Sequence, residues 1–121
     1  MSGTMWLVSP EFPPDAIVDA ISAFFAEHDL VHLELPSGWF GRPYHNLHQL
    51  TSASAEGGRV QVRLDTTQLL VLDATQVRVD GPVLHVDIRG GSWDWVEYGR
   101  QDKHHERLEP GSLKFHATND R

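Results

Sequence analysis

The chain has 121 residues, of which 40% are hydrophobic and 22% charged, and this composition is typical of a folded domain rather than a disordered segment. It contains no cysteine, which excludes disulfides, thiolate zinc sites and thiol nucleophiles. The formal net charge of −7 disfavours nucleic acids and anionic membranes as partners, whereas it would attract a basic protein.

The length predicts a single globular domain over residues 1–121, with a frayed tail at 117–121. The first residues lack the basic start and the long apolar stretch of a signal peptide. No segment approaches the roughly 20 apolar residues that are needed to span a bilayer. We therefore expect a cytoplasmic location without membrane association.

One helix is predicted near the N-terminus, from Pro13-Pro14-Asp15 to about His28. Proline is tolerated in a first helical turn, and an acidic residue is favourable near the positive end of the helix dipole. The apolar residues that follow recur at helical spacing and form one face; they are Ile17, Ile21, Phe24 and Phe25. This helix is expected to cover a sheet.

After the helix, apolar and polar residues alternate, and this period of two predicts antiparallel strands with one face toward the core. The alternating apolar residues are Val31, Leu33 and Leu35, then Val60, Val62 and Leu64, then Val77 and Val79, then Leu84, Val86 and Ile88, and finally Leu113, Phe115 and Ala117. The predicted class is α+β, a single N-terminal helix packed on an antiparallel sheet of about five to seven strands, arranged as a meander or roll.

A turn is indicated by Asp80-Gly81-Pro82, which separates two of the predicted strands. Pro82 lacks the N–H that we expect a two-residue turn to use. The prediction is therefore a four-residue loop in which Val79 faces Pro82 and Val77 faces Leu84.

Six of the eleven aromatic residues fall in two short windows, Trp39–Tyr44 and Trp93–Tyr98. Two interpretations remain open, a satellite core in which the first window covers the second, or an aromatic-lined pocket with a few polar groups. The candidate binding residues are Trp39, Arg42, Tyr44, His45, Asn46, His48, Trp93, Asp94, Trp95, Glu97 and Tyr98.

Arg42 lies between Gly41 and Pro43, an unusual position for a solvated charge. Its guanidinium group could tie the surrounding segment to Asp94 or Glu97. Alternatively, it could present donors to an anionic ligand.

Eight histidines raise the possibility of a metal site. His45 and His48 are three residues apart and would share one side of a helix. Further ligands would have to come from distant residues, of which the candidates are His85, His104, His105, Asp87, Glu97 and Glu106. A zinc site needs three or four ligands in fixed geometry, and no His-Glu-x-x-His motif is present. We therefore expect neither a metal nor another cofactor.

Three functional hypotheses follow from these features. The first is a non-enzymatic binding or protein-interaction domain that uses an aromatic surface at 36–50 and 93–98, for example an inhibitor or immunity-type protein that neutralises a basic partner. The second is a small cofactor-independent enzyme or small-molecule-binding protein with a pocket in the same region, where His45, His48, Tyr98 or Glu97 could act as acid or base. The third is a structural homo-oligomer, such as a homodimer, whose aromatic windows meet across a symmetry axis.

No phosphate-binding glycine loop, Gly-x-Ser-x-Gly motif or dinucleotide fingerprint is present, which favours binding over catalysis.

Overall fold

The computed structural model describes residues 11–39, 47–65, 68–96 and 103–118, and in these ranges it contains one helix and eight strands. In chain order they are α1 (Pro14–Glu27), β1 (Leu30–Leu35), β2 (Gly38–Trp39), β3 (Leu50–Glu56), β4 (Arg59–Leu64), β5 (Gln68–Asp80), β6 (Val83–Val96), β7 (Lys103–Leu108) and β8 (Gly111–Thr118). The helix packs on one antiparallel sheet that curls into a half-barrel, so the predicted α+β class is confirmed.

The helix begins and ends where its sequence indicates. Pro13 is the extended N-cap residue and Pro14 the first helical residue, while the N–H of the C-cap residue His28 donates to the Phe24 carbonyl at 3.0 Å. The predicted apolar face is buried, at Ile17, Ile21, Phe24 and Phe25. Phe25 packs edge-on against Phe115 of β8, with ring centroids 5.4 Å apart. This contact anchors the helix to the core that the sheet provides.

The core side of the sheet follows the alternation in the sequence. Fully or nearly fully buried residues recur at every second position, at Val31, Leu33 and Leu35 in β1, Val60, Val62 and Leu64 in β4, Leu84, Val86 and Ile88 in β6, and Leu113 and Phe115 in β8. These side chains form one cluster with the helix, and burying each contributes roughly 1.5–3 kcal/mol.

The strand order is β2-β1-β8-β6-β5-β4-β3, with β7 pairing separately with β6. β6 is the longest strand and pairs with β5 along most of its length. On its other side, Val83–Ile88 pair with β8, whereas Gly91–Val96 pair with β7. β7 and β8 therefore follow one another along the same edge of β6.

The sheet bends where β6 changes partner. The register between β5 and β6 shifts on both sides of Ala74, because Leu72 pairs with Gly91 while Ala74 pairs with Ile88. Such bulges bend a strand and increase its twist. Gly90 and Gly91, with φ angles of 159° and 156°, lie at the bend in β6. The bend allows the sheet to curl around the helix.

The predicted register of the β5–β6 turn is wrong by two residues. Asp80 pairs with Val83, so only Gly81 and Pro82 form the loop. A two-residue turn is closed by bonds between the flanking residues, and the missing N–H of the second loop residue is therefore harmless. Gly81 has a φ of 60°, as a type II′ turn requires at its first position. Because the error is an even number of residues, Val77 and Val79 still share one face of the strand. Val79 is nevertheless 57% exposed, so its predicted place in the core is wrong.

Two strands have no clear signal in the sequence. β3 is rich in serine and alanine, and β7 has the charged sequence Lys-His-His-Glu-Arg-Leu. Both lie at the borders of the sheet within the described ranges, where few side chains are buried and alternation is weak.

The residues that precede β3 join two strands that lie far apart in the strand order, β1 and β4. The N–H of Val31 in β1 donates to the carbonyl of His48 at 3.0 Å, and the N–H of His48 donates back at 2.9 Å. On the other side, the N–H of Asp65 donates to the carbonyl of Gln49 at 3.0 Å. The segment at 48–49 therefore joins β1 to the end of β4.

Among the described residues, no helix is both long and apolar enough to cross a membrane.

His85 lies on the outer face of β6 and gives the protein a small acid sensitivity. Partial burial lowers the pKa of His85 from the ordinary value of 6.5; the positive charges of Arg78 and Lys114 lower it further, while Asp80 and Asp87 oppose the shift. The folded protein then binds this proton less readily than the unfolded chain does. Stability is lost as the pH falls below about 6.5 and through the folded-state pKa.

We therefore expect His85→Gln to retain more of its stability in acid than the wild type does. Urea denaturation at about pH 7.5 and about pH 5 measures the free energy of unfolding of both proteins. Between these two pH values, the variant should lose less of its free energy of unfolding than the wild type does. An identical pH dependence in the two proteins would contradict the shift assigned to His85.

Candidate functional site

A buried histidine–carboxylate pair lies where the segment at 48–49 joins β1 to the end of β4. His48 is 1% exposed, and its Nδ1 lies 2.7 Å from Oδ2 of Asp65, which is 31% exposed. The other carboxylate oxygen of Asp65 accepts the backbone N–H of Gln49 at 2.8 Å. Both oxygens of Asp65 therefore hold the segment at 48–49, and the position of the His48 ring is fixed from its Nδ1 side.

Gln68 extends this pair into the core. It is 9% exposed, and its Oε1 accepts a hydrogen bond from Nε1 of Trp93 at 3.3 Å. Because the indole N–H can only donate, this bond orients the Gln68 amide and turns Nε2 toward His48 Nδ1, at 3.4 Å. His48 Nδ1 donates its hydrogen to the Asp65 carboxylate and therefore cannot accept from Nε2 of Gln68, so the approach of Gln68 is a packing contact rather than a second hydrogen bond.

The polar chain has a clear structural role. Asp65, His48, Gln68 and Trp93 connect the end of β4, the segment before β3, the start of β5 and the distal part of β6. Buried polar groups stabilise a fold when they are bonded, and each one left unpaired is costly. We call these four residues the polar brace.

We expect Asp65→Ala to lower the free energy of unfolding by about 2–4 kcal/mol. The change removes the carboxylate that accepts from His48 Nδ1 and from the Gln49 N–H. Loss of the partner of a buried donor such as His48 Nδ1 lowers stability by about 1–3 kcal/mol. Alanine also tolerates the φ of 54° at this position less well than aspartate does. Asp65→Asn is the control, since it keeps an acceptor oxygen and the backbone preference. Equal losses for the two variants in urea denaturation would contradict the role of the brace.

Trp93 of the polar brace also begins a stack of three aromatic rings. The ring centroids of Trp93 and Trp95 are 5.4 Å apart with a 25° angle between the planes, and those of Trp95 and His104 are 4.2 Å apart at 17°. Trp93 is 2% exposed and belongs to the main core, whereas Trp95 and His104 are partly exposed. The rings thus extend from the core toward the surface across β6 and β7.

Asp94 points away from this cluster. It lies between Trp93 and Trp95 on β6, so its side chain is on the opposite face of the strand. There it contacts Nδ1 of His105, its direct neighbour on β7. The exposed Asp94–His105 pair is separate from the polar brace.

The structure brings together only part of the predicted site. His48, Trp93 and Trp95 lie in one connected cluster, through Gln68 and ring stacking. Trp39 is paired with Glu34 through the backbone of β2. The other candidates lie outside the described residues; they are Arg42, Tyr44, His45, Asn46, Glu97 and Tyr98. Within the described ranges, no group of three or more histidine, aspartate or glutamate side chains could hold a metal ion.

Asp65 and Gln68 were missed in the sequence. They lie 17 and 20 residues from His48 along the chain, and Gln68 is 25 residues from Trp93. No local pattern marks a bond over such distances. The available signal is weak, since Gln68 precedes the apolar run Leu69-Leu70-Val71-Leu72 at an inward position of the strand.

A cleft lies between the second half of α1 and the start of β3, with a volume of about 380 Å³. We call it the α1–β3 cleft. Its helix side is formed by residues at spacings of three and four, and its lining consists of Ser22, Phe25, Ala26, Asp29, Gln49 and Leu50. Because the N–H of Gln49 is bound to Asp65, the polar brace directly supports one wall of this cleft.

Comparisons of the chain with protein-family models, with curated proteins and with solved structures found no match.

Proposed function

We propose that the protein is a non-enzymatic interaction domain that binds a basic partner protein, with the α1–β3 cleft at the centre of the contact surface. An inhibitor or immunity-type role is one form of this function. The observation that carries the proposal is a concave, solvent-accessible site whose strand wall is held by the polar brace. Rigid walls favour binding because little conformational entropy is lost when the partner docks.

The state of His48 supports binding over catalysis. A general acid or base must come within hydrogen-bond reach of its substrate. His48 is 1% exposed, and its Nδ1 is engaged by Asp65, whose two oxygens are both used within the protein. This pair therefore supports the fold of the site and offers no exposed proton-transfer group.

The charge of the chain supports a basic partner. The net charge of −7 raises the encounter rate with a positive surface. Of the cleft-lining residues that the structure describes, Asp29 alone is charged, and its charge is negative. In the described ranges, the exposed large hydrophobic side chains are Phe12 and Val79, neither of which lines this cleft. The described surface thus resembles a polar, charge-guided interface more closely than a broad apolar one.

The proposal is tested by two arginine substitutions on the same helix. Ala26 lines the α1–β3 cleft, whereas Ala23 is also exposed on α1 but does not line it. Ala26→Arg should fill the cleft and repel a basic partner, and Ala23→Arg makes the same change of charge and helix propensity elsewhere. Immobilised wild type and both variants are exposed to a lysate of the source organism, and retained proteins are identified by mass spectrometry.

We expect the wild type and Ala23→Arg to retain the same basic protein, and Ala26→Arg to lose it. The purified partner should then bind the wild type saturably, with a dissociation rate that Ala26→Arg raises by at least tenfold. Retention by all three proteins, or the absence of any saturable partner, would overturn the proposal.

The volume of the cleft also supports a second candidate, a small-molecule-binding protein. About 380 Å³ lies within the range of roughly 300–1,000 Å³ for ligand pockets, and the lining combines apolar and polar side chains. A fragment screen followed by amide chemical-shift mapping tests this candidate. Saturable binding of an uncharged fragment at Ala26 and Leu50, blocked by Ala26→Arg, would favour it over the protein partner.

A further inference from the structure

The lining of the α1–β3 cleft divides into two chemical parts. Phe25, Ala26 and Leu50 contribute apolar surface. Phe25 is 7% exposed and is held by its contact with Phe115, so it forms a fixed base rather than a mobile side chain. An apolar part of this kind suits a linear aliphatic group, because moving such a group from water onto apolar surface is favourable.

The polar part of the lining offers hydrogen-bond acceptors of three kinds. Ser22 has a hydroxyl, Asp29 a carboxylate and Gln49 a side-chain amide. Gln49 is exposed, while its backbone N–H and carbonyl are held by Asp65, so its side chain starts from a fixed position. An ammonium group has three N–H donors and a positive charge, and its chemistry therefore suits a polar lining whose acceptors include a carboxylate.

The surrounding charge selects the sign of the ligand. Among the described residues that line the cleft, Asp29 is the only ionisable one, and the chain as a whole carries −7. A carboxylate or phosphate ligand would meet repulsion from both, whereas a cation gains from both. An uncharged aliphatic group would gain nothing from the negative charge of Asp29.

We infer that the α1–β3 cleft accepts a lysine side chain of the partner, with the four-carbon stem along Phe25, Ala26 and Leu50 and the ammonium group at Asp29. This inference rests on the proposed function and specifies its chemistry. Long cationic side chains commonly bury their stem on apolar surface while the charged end stays at a polar rim. The cleft thereby recognises one residue type within the basic surface that the net charge attracts.

The inference is tested on the intact protein with two small probes. Nα-acetyl-lysine methylamide presents the complete side chain, and Nα-acetyl-norleucine methylamide presents an aliphatic chain without the ammonium group. Each is titrated into ¹⁵N-labelled protein, and the amide resonances of Ser22, Ala26, Gln49 and Leu50 are followed. We expect saturable shifts with the lysine probe and at least tenfold weaker binding of the norleucine probe.

Two charge-neutralising variants separate local recognition from general attraction. Asp29→Asn removes the carboxylate in the cleft, while Asp19→Asn removes an exposed carboxylate on α1 outside it. Both change the net charge equally. We expect Asp29→Asn to weaken binding of the lysine probe at least threefold relative to Asp19→Asn, and a guanidinium probe of equal length to bind less tightly than the lysine probe.

Equal binding of the lysine and norleucine probes would overturn the inference. Equal binding of the lysine probe by the Asp29→Asn and Asp19→Asn variants would overturn it as well, and so would tighter binding of the guanidinium probe than of the lysine probe. The absence of shifts at the four amides would also overturn it. These results differ from failure of the proposed function. A partner that is lost with Ala26→Arg but retained by Asp29→Asn would preserve the interaction domain and exclude the lysine contact.

Discussion

Gly91→Ala is expected to disrupt the bend of the sheet and to lower the free energy of unfolding by about 3 kcal/mol or more. A Cβ atom at this position would lie 2.3 Å from the carbonyl oxygen of Val71 and 3.2 Å from Cα of Leu72. Both are backbone atoms of the paired strand and cannot move aside as a side chain can. Overpacking costs about 1–3 kcal/mol, and the unfavourable φ of 156° adds about 1–3 kcal/mol.

Gly90→Ala is the matched control for this prediction. Gly90 has nearly the same φ, 159°, but its Cβ would lie 3.7 Å from the Leu108 carbonyl oxygen, which is an ordinary contact. We expect this variant to lose only about 1–2 kcal/mol, from backbone strain. Urea denaturation of both variants provides the measurement. If Gly90→Ala were as unstable as Gly91→Ala, the close approach of β5 would not be the cause.

Trp93→Ala is expected to lower the free energy of unfolding by about 3–5 kcal/mol, because a large buried ring is lost and a cavity remains. Trp93 is 2% exposed, packs against Trp95 and donates to Gln68. Since small domains have total stabilities of about 5–15 kcal/mol, the variant could be largely unfolded at the temperature of the cell. Thermal and urea denaturation measure the loss.

Two further substitutions show which part of Trp93 is responsible. Trp93→Phe keeps an aromatic ring but removes the N–H donor to Gln68, so its loss should be smaller, with about 1–3 kcal/mol from the unpaired amide oxygen. Trp95→Ala should also cost less than Trp93→Ala, because Trp95 is only partly buried. A Trp95→Ala variant less stable than Trp93→Ala would reverse the assignment of Trp93 to the core and Trp95 to its border.

Local periodicity was sufficient to predict much of the fold. The helix at Pro14–Glu27 and the inward residues of β1, β4, β6 and β8 follow spacings of 3.6 and 2 that a single segment reveals. β3 and β7 were not predicted, because strands at the border of a sheet bury few side chains and their sequences therefore alternate only weakly between apolar and polar residues. The β5–β6 register was wrong because alternation cannot distinguish two registers that differ by two residues. The predicted four-residue loop was wrong because Pro82 occupies a loop position whose N–H a two-residue turn does not need.

The candidate site was less predictable than the fold, for a physical reason. The two tryptophans at 93 and 95 could be placed on one face of a strand from their spacing alone. The bonds that give the site its shape join residues between 16 and 25 positions apart, from Gln49 to Asp65 and from Gln68 to Trp93. They depend on the curl of the sheet, which brings the segment before β3 against β1. The curl of the sheet cannot be predicted from the spacing of residues within one segment.

The position of β8 has a consequence for folding during synthesis. β8 comes last among the described strands, yet it lies between β1 and β6 in the sheet. Until residues 111–118 have left the ribosome, the edges of β1 and β6 that later pair with β8 have no strand to pair with. Unpaired apolar edges promote association with other chains, and contacts between distant residues form slowly. We therefore expect the nascent chain to depend on chaperones until β8 inserts, and to gain its protection against proteolysis in one late step.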